Sequence, residues 1–534
     1  MKIPTHVGLD QPLLLTNHAR PRTRRELIAQ GFKAGIGTVM GGSIASMLAS
    51  SPVFADLSPD LQDLLEGCDI KSSGSGTIPF ICFDLAGGAN IAGSNVLVGG
   101  RGGQLDFLTT AGYSKLGLPG NMLPGQTNAA NVGEGGGTAG HFFDDRLGLA
   151  FHSDSAMLKG IIKRTNALTW ANTQGCVMAA RSENDTGNNP HNPMYGINQA
   201  GADGSLLALI GSQSSESGGN SMAPAYMVNP KVRPTKVDRP SDATGLVDVG
   251  DLTSLLAPDE TVSVMESMYR LSSAKLSRAK PKLTDANGNL LPEADAALRK
   301  TLGCTYLKSA YLANAFGQPG VLNPLKDPAI TSIFPEGINK DGEYAKTASV
   351  MKLVMGGFAG AGTITMGGFD YHTGDRTTGE MRDYRAGECI GAVLEYARLK
   401  NSPVMIYVFS DGSVFSNGMP DMAANGKGVW TGDNQQTAAA YMLVYNPKGR
   451  PALTHQDPNK TYADRQIGYM AGSGDVDTSS SPIANNVNLL VETVVLNYLA
   501  LHGRQGEFGD TLFPKQGLGN ATSRDRLTMF ASIK

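Results

Sequence analysis

The stretch AGTITMGGFDYHTGD, residues 361–375, decides how the rest of the chain is read. Its first six residues are small, β-branched or apolar and carry no charge. They stop at Gly367 and Gly368, which is the profile of a strand buried on both faces. Downstream, TGEMRDYRAGECIGAVLEYARLK (378–400) repeats its apolar residues at helical spacing, and SPVMIYVFS (402–410) is a second apolar run. Strand, helix and strand in that order predict a parallel pair joined by a crossover, hence the α/β class.

The same pattern continues outward in both directions. TIPFICFDL (77–85), QGCVMAAR (174–181) and AAAYMLVYN (438–446) read as further strands, and NNVNLLVETVVLNYLALHG (485–503) as a helix that closes on glycine. Residues 144–164 also read as a helix, and SDGSVFSNG (410–418) as a loop. Residues 257–315 are richer in Leu, Ala, Lys and Glu and form a helical insertion around 255–345. TDANGN (284–289) within it misses the calcium-loop spacing and reads as a turn. The expected architecture is a three-layer α/β sandwich with a mainly parallel central sheet, one large domain over residues 56–534.

Residues 1–55 differ in character. Arg20, Arg22, Arg24, Arg25 and Lys33 precede a weakly apolar, Gly- and Ala-rich segment that ends in VFA (53–55). This is a signal-peptide layout, with small residues at the −3 and −1 positions. TRRELI (23–28) resembles a twin-arginine signal, which implies an exported or periplasmic protein. The apolar segment is too short and too rich in glycine for a stable transmembrane anchor. AGIGTVMGG within it follows no strand and is no dinucleotide fingerprint.

The chain has 534 residues, 45 basic and 48 acidic. Lys2 and the five cations named above, but only Asp10 and Glu26 among the acids, fall in residues 1–55. The remainder is therefore acidic and holds no Lys/Arg block, which excludes nucleic acid as a partner. The 67 glycines and 28 prolines call for many turns and long loops. Cys68, Cys82, Cys176, Cys304 and Cys389 are scattered without metal-type spacing, and an odd count leaves at least one thiol free. Cys82 and Cys176 fall inside expected strands, as small core residues.

Three expected strands end in acids. Asp84 ends TIPFICFDL, Asp370 follows AGTITMGG and Asp411 follows SPVMIYVFS, while Asp433 in TGDN precedes AAAYMLVYN. In a parallel sheet such ends share one edge, where α/β proteins bind ligands. Taken singly, each acid is an ordinary turn or capping residue. Together with His372 they make an oxygen-rich set for a divalent cation, Zn, Mg, Mn or Ca. No Gly-x-Ser-x-Gly elbow and no Gly-x-x-x-x-Gly-Lys loop occurs.

These residues carry a resemblance. FDLAGGAN (83–90), Arg181-Ser182, GFDYH (368–372), FSDGS (409–413) and TGDN (431–434) follow one another as in the twin-arginine-exported family of unknown function 1501. That family is a branch of the alkaline phosphatase and sulfatase superfamily. GFDYH is the most specific match, and the resemblance spans most of the chain beyond the signal. It implies a metal-dependent hydrolase of phosphate or sulfate esters, acting on a small-molecule ester or a surface polymer, with Asp370, His372, Asp411 and Asp433 as metal ligands and Asp84 as a further acid. His152 stands where relatives often have a histidine, and Ser94 or Thr109 roughly where a nucleophile would lie. His141 and His191 are further candidates, whereas His455 and His502 carry no assignment. The chain departs from the pattern at Asn434 and Gly412, where histidines belong, at the neutral Asn90 and Asn95, and in lacking a sulfatase Cys-x-Pro-x-Arg. A catalytically degenerate binding or assembly protein with the same fold is the alternative.

Overall fold

The computed structural model describes residues 77–125, 142–182, 188–246, 258–279, 319–374, 376–455, 465–509 and 511–534, with Leu61, Ala296 and Cys304 as isolated positions. The signal-like residues 1–55, TDANGN and His141 lie outside them. The chain divides into two compact units, residues 70–248 with 319–534, and residues 1–69 with 249–318. In the second unit the helix Pro258–Ala279 is described. Residues 319–345, expected in the insertion, belong instead to the first.

The first unit is built on an eight-stranded sheet. Its centre is β1 (Phe80–Leu85), every residue of which is buried, as the uninterrupted FICFDL run requires. The other strands are β4 (Thr173–Ala179), β5 (Leu207–Gly211), β6 (Thr235–Lys236), β7 (Ala359–Met366), β8 (Val404–Ser410), β11 (Ala439–Tyr445) and β12 (Gln466–Ile467). They lie in the order β12-β4-β11-β8-β1-β7-β5-β6. β7 and β8 flank β1 in parallel, with Asp84 opposite Thr365 on one side and Phe409 on the other. β11 alone runs against its neighbours β4 and β8. The C-terminal ends of β1, β4, β5, β7 and β8 therefore share one edge with the beginning of β11.

Helices cover both faces. On one, α5 (Val487–Leu501) packs with α2 (Met194–Gln199) against Phe80, Cys82, Met405, Tyr407 and Phe409. On the other lie α1 (Ala156–Arg164), α3 (Gly342–Met355) and α4 (Arg376–Leu399). The observed class is thus α/β with a mainly parallel sheet between helical layers. None of the described helices is long and apolar enough to cross a membrane.

α1 and α4 touch backbone to backbone. A Cβ on Gly387 would stand 1.9 Å from the Met157 carbonyl oxygen, and one on Gly160 would stand 2.1 Å from that of Tyr384. Glycine within a helix costs about 1 kcal/mol relative to alanine, and here the close approach requires it. Gly387→Ala is therefore expected to lower stability by at least about 1–3 kcal/mol, the usual cost of overpacking, against the gain that helix propensity predicts. Chemical denaturation checks the sign.

Two expected elements differ from those observed. Residues 144–164 are not one helix: β2 (Phe143–Asp144) and β3 (Phe151–His152) pair as a ribbon, and α1 begins only after its cap Ser155. Gly148, at φ 74°, turns the chain between the two strands. The expected loop 410–418 contains most of a strand, β9 (Val414–Asp421), paired antiparallel with β10 (Lys427–Asp433). Much of β9 is exposed and it contains Gly418 and Pro420, so no apolar pattern betrays it. Cys82, Cys176 and Cys389 are buried free thiols, each pushed up by burial, while Cys304 is disulfide-bonded.

Candidate metal centre

Beyond β7 the side chains of Phe369, Asp370, Tyr371 and His372 alternate. Phe369 and Tyr371 are buried, whereas Asp370 is exposed and His372 half-exposed. The buried rings anchor the turn and the polar groups point outward. The turn is also seated on the Gly-Gly bend after β1: the Phe369 amide donates to the Ala86 carbonyl, 3.1 Å. Gly87, at φ 122°, lies so close that its Cβ would be 2.4 Å from the Asp370 nitrogen.

Asp433 ends β10 and reaches the same edge, because β11 runs antiparallel and starts there. Oxygens of Asp370 and Asp433 and a ring nitrogen of His372 all lie within 4.8 Å of one another. His372 Nδ1 is 2.5 Å from Asp370 Oδ1 and 3.0 Å from Asp433 Oδ1. Neither contact has hydrogen-bond geometry, so this buried nitrogen atom has no hydrogen-bonding partner. Two carboxylates and one imidazole converging on a point fit a divalent cation. Among the described residues this is the one such group of His, Cys, Asp and Glu.

Asp84 and Asp411, expected in the same set, are not in that group. Asp84 Oδ2 accepts from the amides of Asn220, 2.7 Å, and Ser221, 2.8 Å, and Oδ1 from the Ser221 hydroxyl, 3.2 Å. Asp411 Oδ1 accepts from the amides of Gly87, 2.8 Å, and Gly88, 3.2 Å, and Oδ2 from the Asn220 side chain, 3.1 Å. The two acids thus organise the Gly-Gly bend and the loop after β5. Burial, with the Asp411 charge, outweighs the hydrogen bonds and pushes Asp84 up to about 7 from 3.8. A raised acid binds its proton more tightly in the folded chain, so this contribution to stability is present at low pH and is lost as pH rises from about 4 to about 7. Thermal unfolding of wild type and Asp84→Asn across that range is expected to show it as a stability difference, wild type minus variant, that declines with pH.

Beneath the turn, Tyr371 links its surroundings. Its hydroxyl accepts from the Asn90 amide, 2.7 Å, and donates to Asp383, 3.2 Å, and its ring stacks on Trp430 of β10 at 6.5 Å. It thereby ties the arm bearing Asp370 and His372 to the arm bearing Asp433. Asp383 also accepts from Asn95, 2.7 Å, and burial with the Glu380 charge raises it to about 7. Asn95 also donates to the Asn90 carbonyl, 2.7 Å, and so serves the backbone beneath the centre. Tyr371→Phe would strand the buried Asn90 amide and leave Asp383 with Asn95, and is expected to cost about 1–3 kcal/mol by denaturation.

The remaining candidates have structural partners. Ser94 is buried; its hydroxyl donates to the Leu116 carbonyl, 2.8 Å, and accepts from Arg376, 2.9 Å. Thr109 caps a short helix through the Gly112 amide, 3.1 Å. His152 is fully buried, bonded to the Met122 carbonyl at 2.9 Å and to the Asp154 amide at 3.1 Å, and burial pushes it down to about 4. His191 stacks on Phe409 at 5.7 Å with both ring nitrogens unpartnered, and burial holds it at about 3. Asn434 accepts from the Gln436 amide, 2.7 Å, as a cap. Sequence reasoning passed over Tyr371 and Asn220, although the alternation in Phe-Asp-Tyr-His marks Tyr371 as an inward residue. No family model matches the chain, and no curated protein matches it.

Proposed function

We propose that the chain is an exported, metal-dependent hydrolase of phosphate or sulfate esters with an alkaline-phosphatase-like fold. The observation that carries this reading is the convergence of Asp370 and His372, from the turn after β7, with Asp433, from β10, at the sheet edge where α/β proteins act. These three residues would hold the cation, Mg, Mn, Ca or Zn. When bound, it supplies Lewis-acid stabilisation of the charge that grows on an ester oxygen. The exposed Asp370 leaves the cluster accessible to a small ester or to the end of a surface polymer. Around it, Asp411 and the Gly-Gly bend fix the backbone, and Tyr371 excludes water from beneath the turn.

A second reading has its own observation. Asp84 and Asp411, the acids available for a second cation, spend their oxygens on amides and on Asn220, and Ser94 is buried against Arg376. A binding or assembly protein that keeps the fold without the chemistry would look like this. The test is metal analysis of protein purified from its native host, with a panel of phosphate and sulfate esters before and after chelation. One bound divalent ion and a hydrolytic rate that falls on chelation and returns with metal are expected. Absence of both metal and rate would leave the binding reading.

A further inference from the structure

We propose that Arg382 is the anion-binding arm of the metal centre, contacting a tetrahedral oxyanion that the cation holds. This rests on the cation site proposed above. Arg382 lies in the second turn of α4 and is half-exposed. Its guanidinium rests against Gly368: a Cβ there would stand 2.8 Å from Cζ, 2.9 Å from Nε and 3.1 Å from Nη2. Gly368, at φ 87°, is both a turn residue and the gap that admits the guanidinium. It precedes Asp370 by two residues, so at most about 7 Å of backbone separates the arginine's seat from a metal ligand.

The cations nearby are otherwise engaged. Arg376 pairs with Glu380, Lys427 with Glu380 and Asp154, Arg385 with Asp341, and Lys346 with Glu343. Arg382 has no carboxylate within 4.0 Å and no hydrogen-bonding partner among the described residues. A half-buried guanidinium normally finds a carboxylate, and two of them lie within a few residues. Instead its five donors are left over in a planar fork, the shape that binds a phosphate or sulfate group bidentately. Asp370 and Asp433 would repel such an anion until a divalent cation neutralises them. Oxyanion binding is therefore expected only with metal present, with Arg382 supplying the contact that the cation cannot.

The test is calorimetry on the full chain, first with Mn²⁺ alone and then with inorganic phosphate at saturating Mn²⁺, for wild type, Arg382→Gln and Arg382→Lys. Mn²⁺ affinity is expected to change less than about twofold in Arg382→Gln. Phosphate affinity is expected to fall roughly 10- to 150-fold, the range for hydrogen bonds to a charged group. Arg382→Lys should be intermediate, because it keeps the charge and loses the fork. Failure of wild type to bind Mn²⁺ would overturn the cation site and this inference with it. Mn²⁺ binding with no phosphate binding in wild type, or with equal phosphate affinity in Arg382→Gln, would overturn the inference alone.

Discussion

Asp433→Ala is expected to lower divalent-metal affinity at least about 100-fold, above the 10- to 100-fold typical of residues that only support a ligand. The expectation follows from how few donors the centre has. His372 Nδ1 lies between the two carboxylates without a hydrogen bond to either, so removing one carboxylate leaves two donors and no geometry that a cation prefers. Asp433 ends β10 beside a half-exposed stretch, so its loss should leave the fold intact. Isothermal titration with Mn²⁺ or Zn²⁺ checks the affinity, and an unchanged thermal midpoint without metal separates ligation from folding. By contrast, Asp411→Asn should weaken metal binding little while destabilising the Gly-Gly bend, because both Asp411 oxygens face protein donors. Equal metal affinity in wild type and Asp433→Ala would remove the centre from consideration.

Arg376→Met is expected to cost about 3–5 kcal/mol of stability, the range for breaking one side of a buried ion pair. The guanidinium is wholly buried. It bonds Glu380 at 2.9 Å, the Ser94 hydroxyl at 2.9 Å and the Gly428 carbonyl at 3.2 Å, and it lies 4.2 Å from the centre of the Trp430 ring. Burial alone would raise the Glu380 carboxyl, but the charges of Arg376 and Lys427 hold it below its ordinary value. Without Arg376 the partly exposed Glu380 carboxylate keeps only Lys427, the Gly428 carbonyl and Ser94 hydroxyl lose their buried donor, and Trp430 loses the cation over its face. Ser94→Ala offers a related contrast. A nucleophile would lose all hydrolysis with little change in stability, whereas the observed bonds predict a loss of about 1–3 kcal/mol and retained hydrolysis. Guanidinium denaturation read beside ester hydrolysis distinguishes the two.

Much of this arrangement is legible in residue order. FICFDL, AGTITM and VMIYVFS are long enough and apolar enough to be strands buried on both faces, and the helical period of 378–400 can only be a crossover between two of them. That places Asp84, Asp370 and Asp411 at one edge from residue order alone. The ribbon β9–β10 is not legible, because much of β9 faces water and Gly418, Pro420, Gly428 and Gly432 break any apolar alternation. The contact between α1 and α4 at Gly160 and Gly387 is not legible either, because a glycine in a helical stretch does not say which backbone approaches it.

The sequence by itself determined the α/β class, the strand ends on which the acids sit, and the Asp-x-His pair after β7. Only the tertiary structure decided which acids meet. Hydrophobic periodicity reports which side chains face the core, but not whom a polar side chain at a strand end will touch. That depends on register, on the reversed direction of β11 and on competing donors in distant loops. Asn220 and Ser221 lie over a hundred residues from Asp84, yet both bond it, and Asn220 also donates to Asp411, nearly two hundred residues further on. Asp433, arriving along an unforeseen hairpin, completes the group with Asp370 and His372 instead.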